Sequence, residues 1–413
     1  MSAPRLQGPL VGMRVLDLSH VMAGPVCGLM LADMGADVIK VENIDGGDTS
    51  RQLRTPAIGG ESAAFMMMNR NKHGLAVDLK RPLGQEVLKR LARHADALIE
   101  NYRKGTMEKL GVGYDVLAKL NPGLIYCEIS GFGRSGPLAD PGGFDLVTQG
   151  MSGIMSITGE GPGRPPVKCG PPVTDITAGL IAALGVAAAY AHKLKTGQGQ
   201  RVDTSLFEAG IIQTYWQSAI ALATGVSPGP LGSAHPLSAP YQAFETSDGW
   251  ITLGASNQKT WLAFLTVLDV PDIAGDARFT DNAGRMANLP ALVVLLTPHF
   301  RRRTTAQWLT LLETAGVPAG PVLSVIEMHA HPQTRARDMV PVVEHAVAGP
   351  VETLGLPVKF SATPGGVASG APTLGQHSRD VLAEAGYNPR EIDDLIEAGA
   401  IGEPSRPMQA DKP

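Results

Sequence analysis

The sequence is poor in cysteine. Its three cysteines, Cys27, Cys127 and Cys169, are odd in number, far apart in the chain and include no CxxC pair. A disulfide framework and a thiolate zinc site are thereby excluded, and a reducing compartment fits. The ten histidines include no HExxH and no paired ligand spacing, so no metal is expected. His329 and His331 are two apart and share no helix face. No GxxxxGK[ST] phosphate loop and no GxSxG nucleophile elbow occur, which removes the usual ATP site and the α/β-hydrolase reading. Charge of one sign is also lacking. A net charge of −4 gives no electrostatic case for nucleic acid or an anionic membrane. The longest apolar stretch, 178–191, is shorter than the ~20 residues of a membrane span and reads as a buried helix. Met1–Gly12 has neither a basic nor a long apolar region of a signal peptide, so a cytoplasmic protein is expected.

What is present is an ordinary globular balance. With 413 residues, 44% of them hydrophobic and 18% charged, the chain is long enough for two domains. Near the start, a short apolar run (13–19), a helical stretch ending at Gly35 and a second run (37–42) form strand, helix, strand. Such a unit implies a right-handed crossover and a parallel sheet. The alternation continues with helices near 83–94 and 107–120 and strands near 97–100 and 124–130. A long helix is expected over 175–194 and another over 204–224. The Pro-, Gly- and Ser-rich stretch 227–239 marks a boundary. After it come a hairpin around Asp248-Gly249 and further helices, then strand-like pieces at 340–344 and 357–360 and a final helix pair. The tail after Gly402 is polar and expected to fray. The expected division is 1–226, 227–330 and 331–413.

Several loops could carry chemistry. His20-Val21-Met22-Ala23-Gly24-Pro25 follows the first strand, where ligands of open α/β sheets sit, although it is not GxGxxG and also reads as a tight turn. Gly46-Gly47-Asp48 and the loop Gly131–Pro137 are Gly-rich and would let backbone N–H groups approach a phosphate. Asn69–Lys72 and Asn101–Lys104 are cationic clusters of the kind a nucleotide phosphate needs, although by pattern alone they read first as solvated loops. Asp175 precedes a long apolar helix. By position it is an N-cap. The same helix terminus would keep it ionised and able to attack a thioester, with Thr174 supplying the cap in its place. His235, in the boundary loop, is a plausible ligand contact.

Taken in order, these segments resemble the family III CoA-transferases, the group of formyl-CoA transferase and carnitine CoA-transferase. The resemblance is carried by Leu16–Pro25, Gly35–Glu42 with Gly47-Asp48, Asn69–Lys72, Glu100-Asn101-Tyr102, Gly131-Phe132-Gly133, Asp175, Lys195–Gln200, Gly316–Pro321 and Leu374–His377. It implies a Rossmann-like large α/β domain built from both chain ends, a smaller α+β domain and an interlocked homodimer. It implies coenzyme A as substrate, with no permanently bound cofactor and with Asp175 as the nucleophile. CoA contacts would fall on Val21, Met22, Ala23, Val77, Lys80, Asn101, Tyr102 and Lys109. Asn43 and Lys109 stand where the formyl-CoA enzyme has arginines. His20, Phe144, Asp145 and His235 are the candidates for holding the acid. The Gly232-Ser233-Ala234-His235 loop is similar to that of the transferases using succinyl-CoA and a dicarboxylate such as glutarate.

The resemblance implies a route through an aspartyl anhydride and an aspartyl-CoA thioester. Two other readings stand beside it. The α-methylacyl-CoA racemases share the fold but use a Gly-His-Asp segment, where this chain has Gly143-Phe144-Asp145, and phenylalanine carries no proton. The other is a non-catalytic acyl-CoA-binding protein, against which Asp175 in its context counts.

Overall fold

A computed structural model describes residues 7–404. Expectations for Met1–Leu6 and for the tail beyond Pro404 lie outside the described residues. The chain divides into two compact units, one of residues 1–152, 170–213 and 332–413, the other of 153–169 and 214–331. The second unit begins earlier than the Pro-, Gly- and Ser-rich stretch, because it includes the helix Tyr215–Thr224. It also takes in 153–169.

The first unit is built on a seven-stranded sheet in the order Ile401–Gly402, Lys72–Val77, Asp37–Glu42, Arg14–Asp17, Ala97–Glu100, Ile125–Ser130, Arg201–Ser205. All neighbours run parallel except Ile401–Gly402, which pairs antiparallel with Ala76 and Val77. The chain is therefore mixed α/β. The central strands are short apolar runs because helices cover both faces. On one face Leu16, Ile39, Leu75 and Leu98 pack with Val87, Leu88 and Leu91 of the helix Pro82–Ala92. On the other, Val15, Val38, Ile99 and Cys127 pack with the helices Ala23–Asp33 and Val173–Thr196.

Two sheet strands lie where the apolar pattern does not announce them. Lys72–Val77 opens with Lys-His-Gly, and Lys72 is only 1% exposed. Arg201–Ser205 is an edge strand with a polar outer face, and it replaces the start of the helix expected over 204–224. The helix that follows is broken into Leu206–Ile212 and Tyr215–Thr224. The expected strand at 357–360 does not form. Val342–His345 pairs instead with Gly349–Glu352. The apolar stretch at 178–191 lies within a 24-residue helix, the one helix among the described residues long and apolar enough to cross a membrane. Its Ala178, Ala182, Ala183 and Val186 are buried in the core.

The second unit has the antiparallel sheet Tyr241–Glu245, Trp250–Gly254, Ala319–Pro321. Its core gathers Phe244, Trp261, Phe264, Phe300 and Trp308, with Phe244 and Phe300 stacked 4.5 Å apart.

Candidate active site

Six parallel strands point their carboxyl ends to one edge of the sheet. The chain leaves Arg14–Asp17 toward Asp37–Glu42 on one side and later resumes with Ala97–Glu100 on the other. The crevice between the loops after these two strands is the switch point where open α/β sheets bind ligands. Here the two loops are joined. The His20 N–H donates to Asn101 Oδ1 and the Asn101 Nδ2–H to the His20 carbonyl, each at 2.8 Å. His20 Nε2 lies 2.9 Å from the Tyr102 hydroxyl. Burial, reinforced by the charge of Lys40, lowers the His20 pKa, so the imidazole is neutral at pH 7.

Beneath the loop lies a set of buried charges. Asp17, Lys40 and Asp48 have no exposed surface, and Lys72 is 1% exposed. Lys72 Nζ donates to Asp17 Oδ2 at 2.8 Å and to Asn69 Oδ1 and the Pro25 carbonyl at 2.9 Å each. Lys40 Nζ reaches Asp48 Oδ2 at 3.0 Å and the Ser19 carbonyl. Burial alone would raise the Asp17 pKa, but Lys40 and Lys72 outweigh it and hold the carboxyl below its usual range. Arg70 pairs with Asp33 at 2.5 Å. Asn69, Arg70 and Lys72 are thus internal ties of the fold, buried and paired, which corrects the solvated-loop reading and leaves none of them turned to a nucleotide phosphate. Charges with full partners can be buried where unpaired ones cannot.

The two Gly-rich loops also have internal tasks. The N–H groups of Gly46, Gly47 and Asp48 go to Ile44 O, Asn43 O and Glu42 Oε1. A Cβ on Gly47 would lie 2.7 Å from Glu42 Oε1, and its φ of +69° suits glycine. Residues 131–136 spell GxGxxG after a strand, a match the sequence reading passed over. No helix follows directly, however, and the N–H groups of Gly133 and Arg134 are bound to Ser130 Oγ and Asp203 Oδ2. The Arg134 side chain turns inward to Glu100 at 2.8 Å and Glu128 at 3.0 Å. These committed N–H groups are not available to a phosphate.

Asp175 is the third residue of the helix Val173–Thr196. Four residues on, on the same face, a Cβ at Gly179 would lie 2.5 Å from the carbonyl oxygen of Ala23 and 2.8 Å from Val26 Cβ. The two helices therefore touch backbone to backbone, and Asp175 stands one turn above that contact, toward the His20–Ala23 loop. Neither Asp175 nor Thr174 caps the helix. Asp145 does so from the start of another helix, Asp145–Met151: its Oδ1 accepts the Thr174 N–H at 3.0 Å and the Thr174 hydroxyl at 2.8 Å. Gln149 Nε2 donates to Asp145 Oδ2 at 2.7 Å. A close approach of Gly131 to Gly143, with a Gly143 Cβ only 2.6 Å from Gly131 Cα, sets this segment in place.

Among the described residues no hydrogen bond or ion pair reaches the Asp175 carboxylate. Burial, then the charge of Asp145, raises its pKa from 3.8 to about 7. This corrects the expectation that the helix terminus keeps Asp175 fully ionised. A poised, unpaired carboxylate is what nucleophilic catalysis needs.

The remaining candidates are placed as follows. Val21 is 44% exposed, and Ala23 is buried at the start of its helix. The Val77 side chain belongs to the core, and Lys80 is exposed on the same sheet edge. Lys109 is exposed at the end of the short helix Thr106–Lys109. Phe144 is 74% exposed, directly before Asp145. His235 belongs to the second unit, where it stacks on Tyr241 at 5.0 Å and meets Trp216 edge-on. Its Nδ1 accepts the Leu237 N–H, so the neutral ring carries its proton on Nε2.

An unpaired, partly buried carboxylate at the start of a helix of an open parallel sheet is compatible with acyl-group or CoA transfer. Residues 10–378 match CoA-transferase family III, and the chain belongs to that family and is a CoA-transferase. It is 39% identical to the succinate–glutarate CoA-transferase of Agrobacterium fabrum, over 92% of this chain and 96% of that one. It is 36% identical to the succinyl-CoA:glutarate CoA-transferase of Homo sapiens, over 95% and 90%. Among solved structures, a CAIB/BAIF family protein from Brucella suis matches with a TM-score of 0.82 and 37% identity, covering 92% of this chain and 99% of that one.

Proposed function

We propose that the protein transfers CoA from succinyl-CoA to a dicarboxylic acid, with Asp175 as the covalent nucleophile. The supporting observation is Asp175 itself: an unpaired carboxylate, raised to about 7, one turn above a helix contact that admits no side chain. The names of the glutarate-using relatives support succinyl-CoA as donor and a dicarboxylate as acceptor.

The ionised Asp175 attacks the donor's thioester carbonyl and expels CoA thiolate, giving a mixed anhydride. The thiolate attacks the aspartyl carbonyl of that anhydride and releases the donor acid, leaving aspartyl-CoA thioester. The acceptor carboxylate attacks this thioester, forming a second anhydride and freeing the thiolate again. Attack of the thiolate on the acceptor's acyl carbon gives the new acyl-CoA and restores Asp175. One difficult exchange becomes four additions to activated carbonyls. CoA lies along the sheet edge against Val21, Met22, Ala23, Val77, Lys80, Asn101, Tyr102 and Lys109, with Val77 contributing backbone only. His20 and Phe144 contact the acids. Asp145 helps to hold the acid and also raises the Asp175 pKa through its charge, while it accepts hydrogen bonds from Thr174 and Gln149.

The large unit is a Rossmann-like CoA-binding domain built from both chain ends, the other a small domain, and the enzyme an interlocked cytoplasmic homodimer. Apolar faces in each unit support the pairing: Leu184 is 71% exposed, and the helix Tyr215–Thr224 buries no residue, its Leu222 being 88% exposed. The racemase reading gains nothing, because Phe144 leaves one of its two bases missing.

The test is mass spectrometry of the intact protein mixed with succinyl-CoA, with a panel of dicarboxylates added afterwards. A covalent CoA adduct on wild type, discharged by one of the acids and lost in Asp175→Ala, is expected. Normal turnover by Asp175→Ala would refute the mechanism.

A further inference from the structure

Val21 has a φ of +66°. A β-branched residue in the left-handed region is an outlier that the surroundings must impose. Its own side chain does not impose it, being 44% exposed. The backbone around it is tied group by group. The Ser19 N–H goes to Asp17 Oδ1 at 3.0 Å and the Ser19 carbonyl to Lys40. Both polar groups of the His20 backbone go to Asn101. The Val21 N–H goes to Asp48, at 3.0 and 3.3 Å from its two carboxylate oxygens. Five consecutive backbone groups are thus held by side chains that come from outside the loop. Only the last tie acts on the strained residue itself.

Asp48 is built to make that tie. It has no exposed surface. Besides Val21 it accepts Lys40 Nζ at 3.0 Å and the N–H and hydroxyl of Ser50 at 2.9 Å each. Gly46 and Gly47, with φ of +83° and +69°, bend the chain so that it can reach the loop. An acceptor this firmly placed fixes a donor better than a mobile one.

We propose that Asp48 is a positioning residue of the enzyme: it holds Val21 in the left-handed conformation and so keeps the Val21–Ala23 loop in the shape that receives CoA before CoA arrives. This rests on the reading of that loop as a CoA contact. A pre-shaped loop binds without the ordering cost that a free one would incur.

Titration calorimetry with CoA and steady-state kinetics with succinyl-CoA test it on the full chain. Asp48→Asn is expected to weaken CoA binding about tenfold or more and to raise KM for succinyl-CoA while kcat stays within about threefold. Val21→Pro removes the N–H and forbids a positive φ at an exposed position, so it is expected to weaken CoA binding to a similar degree with unchanged circular dichroism. Adding Val21→Gly to Asp48→Asn is expected to recover at least about threefold of the affinity, since glycine adopts the conformation unaided. A merely structural role for Asp48 predicts no such recovery. Wild-type affinity in Val21→Pro, or no recovery by glycine, would overturn the proposal, and Val21→Pro decides alone if Asp48→Asn does not fold. Wild-type protein that transfers CoA while Asp48→Asn and Val21→Pro bind CoA as it does would leave the proposed function standing and the positioning role refuted. Wild-type protein that does not bind CoA would overturn the CoA-contact reading and the proposal with it.

Discussion

Asparagine at position 175 is expected to stabilise the protein, and only above a certain pH. Burial and Asp145 raise the Asp175 pKa from 3.8 to about 7. The folded protein therefore keeps a proton that the unfolded chain has already lost between those values. Stability contributed at low pH falls as pH rises through this window, and above about 7 the full cost of a buried, repelled carboxylate is present. Three pH units correspond to about 4 kcal/mol, which partial solvent contact reduces to ~2–4 kcal/mol. Asparagine has the same shape and no charge, so it escapes the cost. At ~2 °C per kcal/mol for a domain of this size, melting should rise by ~4–8 °C at pH 8 and hardly at all at pH 4. Scanning fluorimetry of wild type and Asp175→Asn from pH 4 to 8.5 measures it. A difference that does not vary with pH, or that grows toward acid, would refute the reasoning, because the carboxyl would then be ionised in the fold throughout.

Three further outcomes follow from the same geometry. Asp145→Asn should move the midpoint of the pH–rate profile below 7, since it removes the like charge, and should cost about 1 kcal/mol of stability through the weakened cap; an unmoved midpoint would mean that Asp145 does not sense Asp175. Lys72→Met leaves Asp17 without its salt-bridge partner in the core and should destabilise by roughly 3–5 kcal/mol, measured by urea unfolding. Gly179→Val should cost about 1–3 kcal/mol and most of the activity, because its Cβ meets the Ala23 carbonyl; wild-type turnover in that variant would show that the helix contact does not position Asp175.

The parallel sheet was legible where strands are short apolar runs, as at Arg14–Asp17, Asp37–Glu42 and Ala97–Glu100. It was illegible at Lys72–Val77, which opens with Lys-His-Gly in place of an apolar run. Lys72 looks like a surface residue until Asp17, 55 positions earlier, is seen to accept its hydrogen bond. The position of Asp175 at a helix start was readable from local pattern. Its surroundings were not, because the cap comes from Asp145, 29 residues before Thr174, and a long-range acceptor leaves no local signature. For the same reason local reasoning gave the wrong direction for its acidity. The helix terminus is written in the neighbouring sequence, while desolvation and a distant like charge appear only on folding. The Gly-rich loops were found as loops, but their N–H groups could not be followed to acceptors without coordinates.

The loop after the first strand has a consequence for how the enzyme comes into being. Its backbone is held by residues up to 81 positions away, on strands or in the loops that follow them, and those strands pair only once the sheet is assembled. Contacts of such separation form late. The loop is therefore a product of completed assembly, and in a refolding experiment its recovery would mark the moment when the sheet closes, after most of the helix signal has returned.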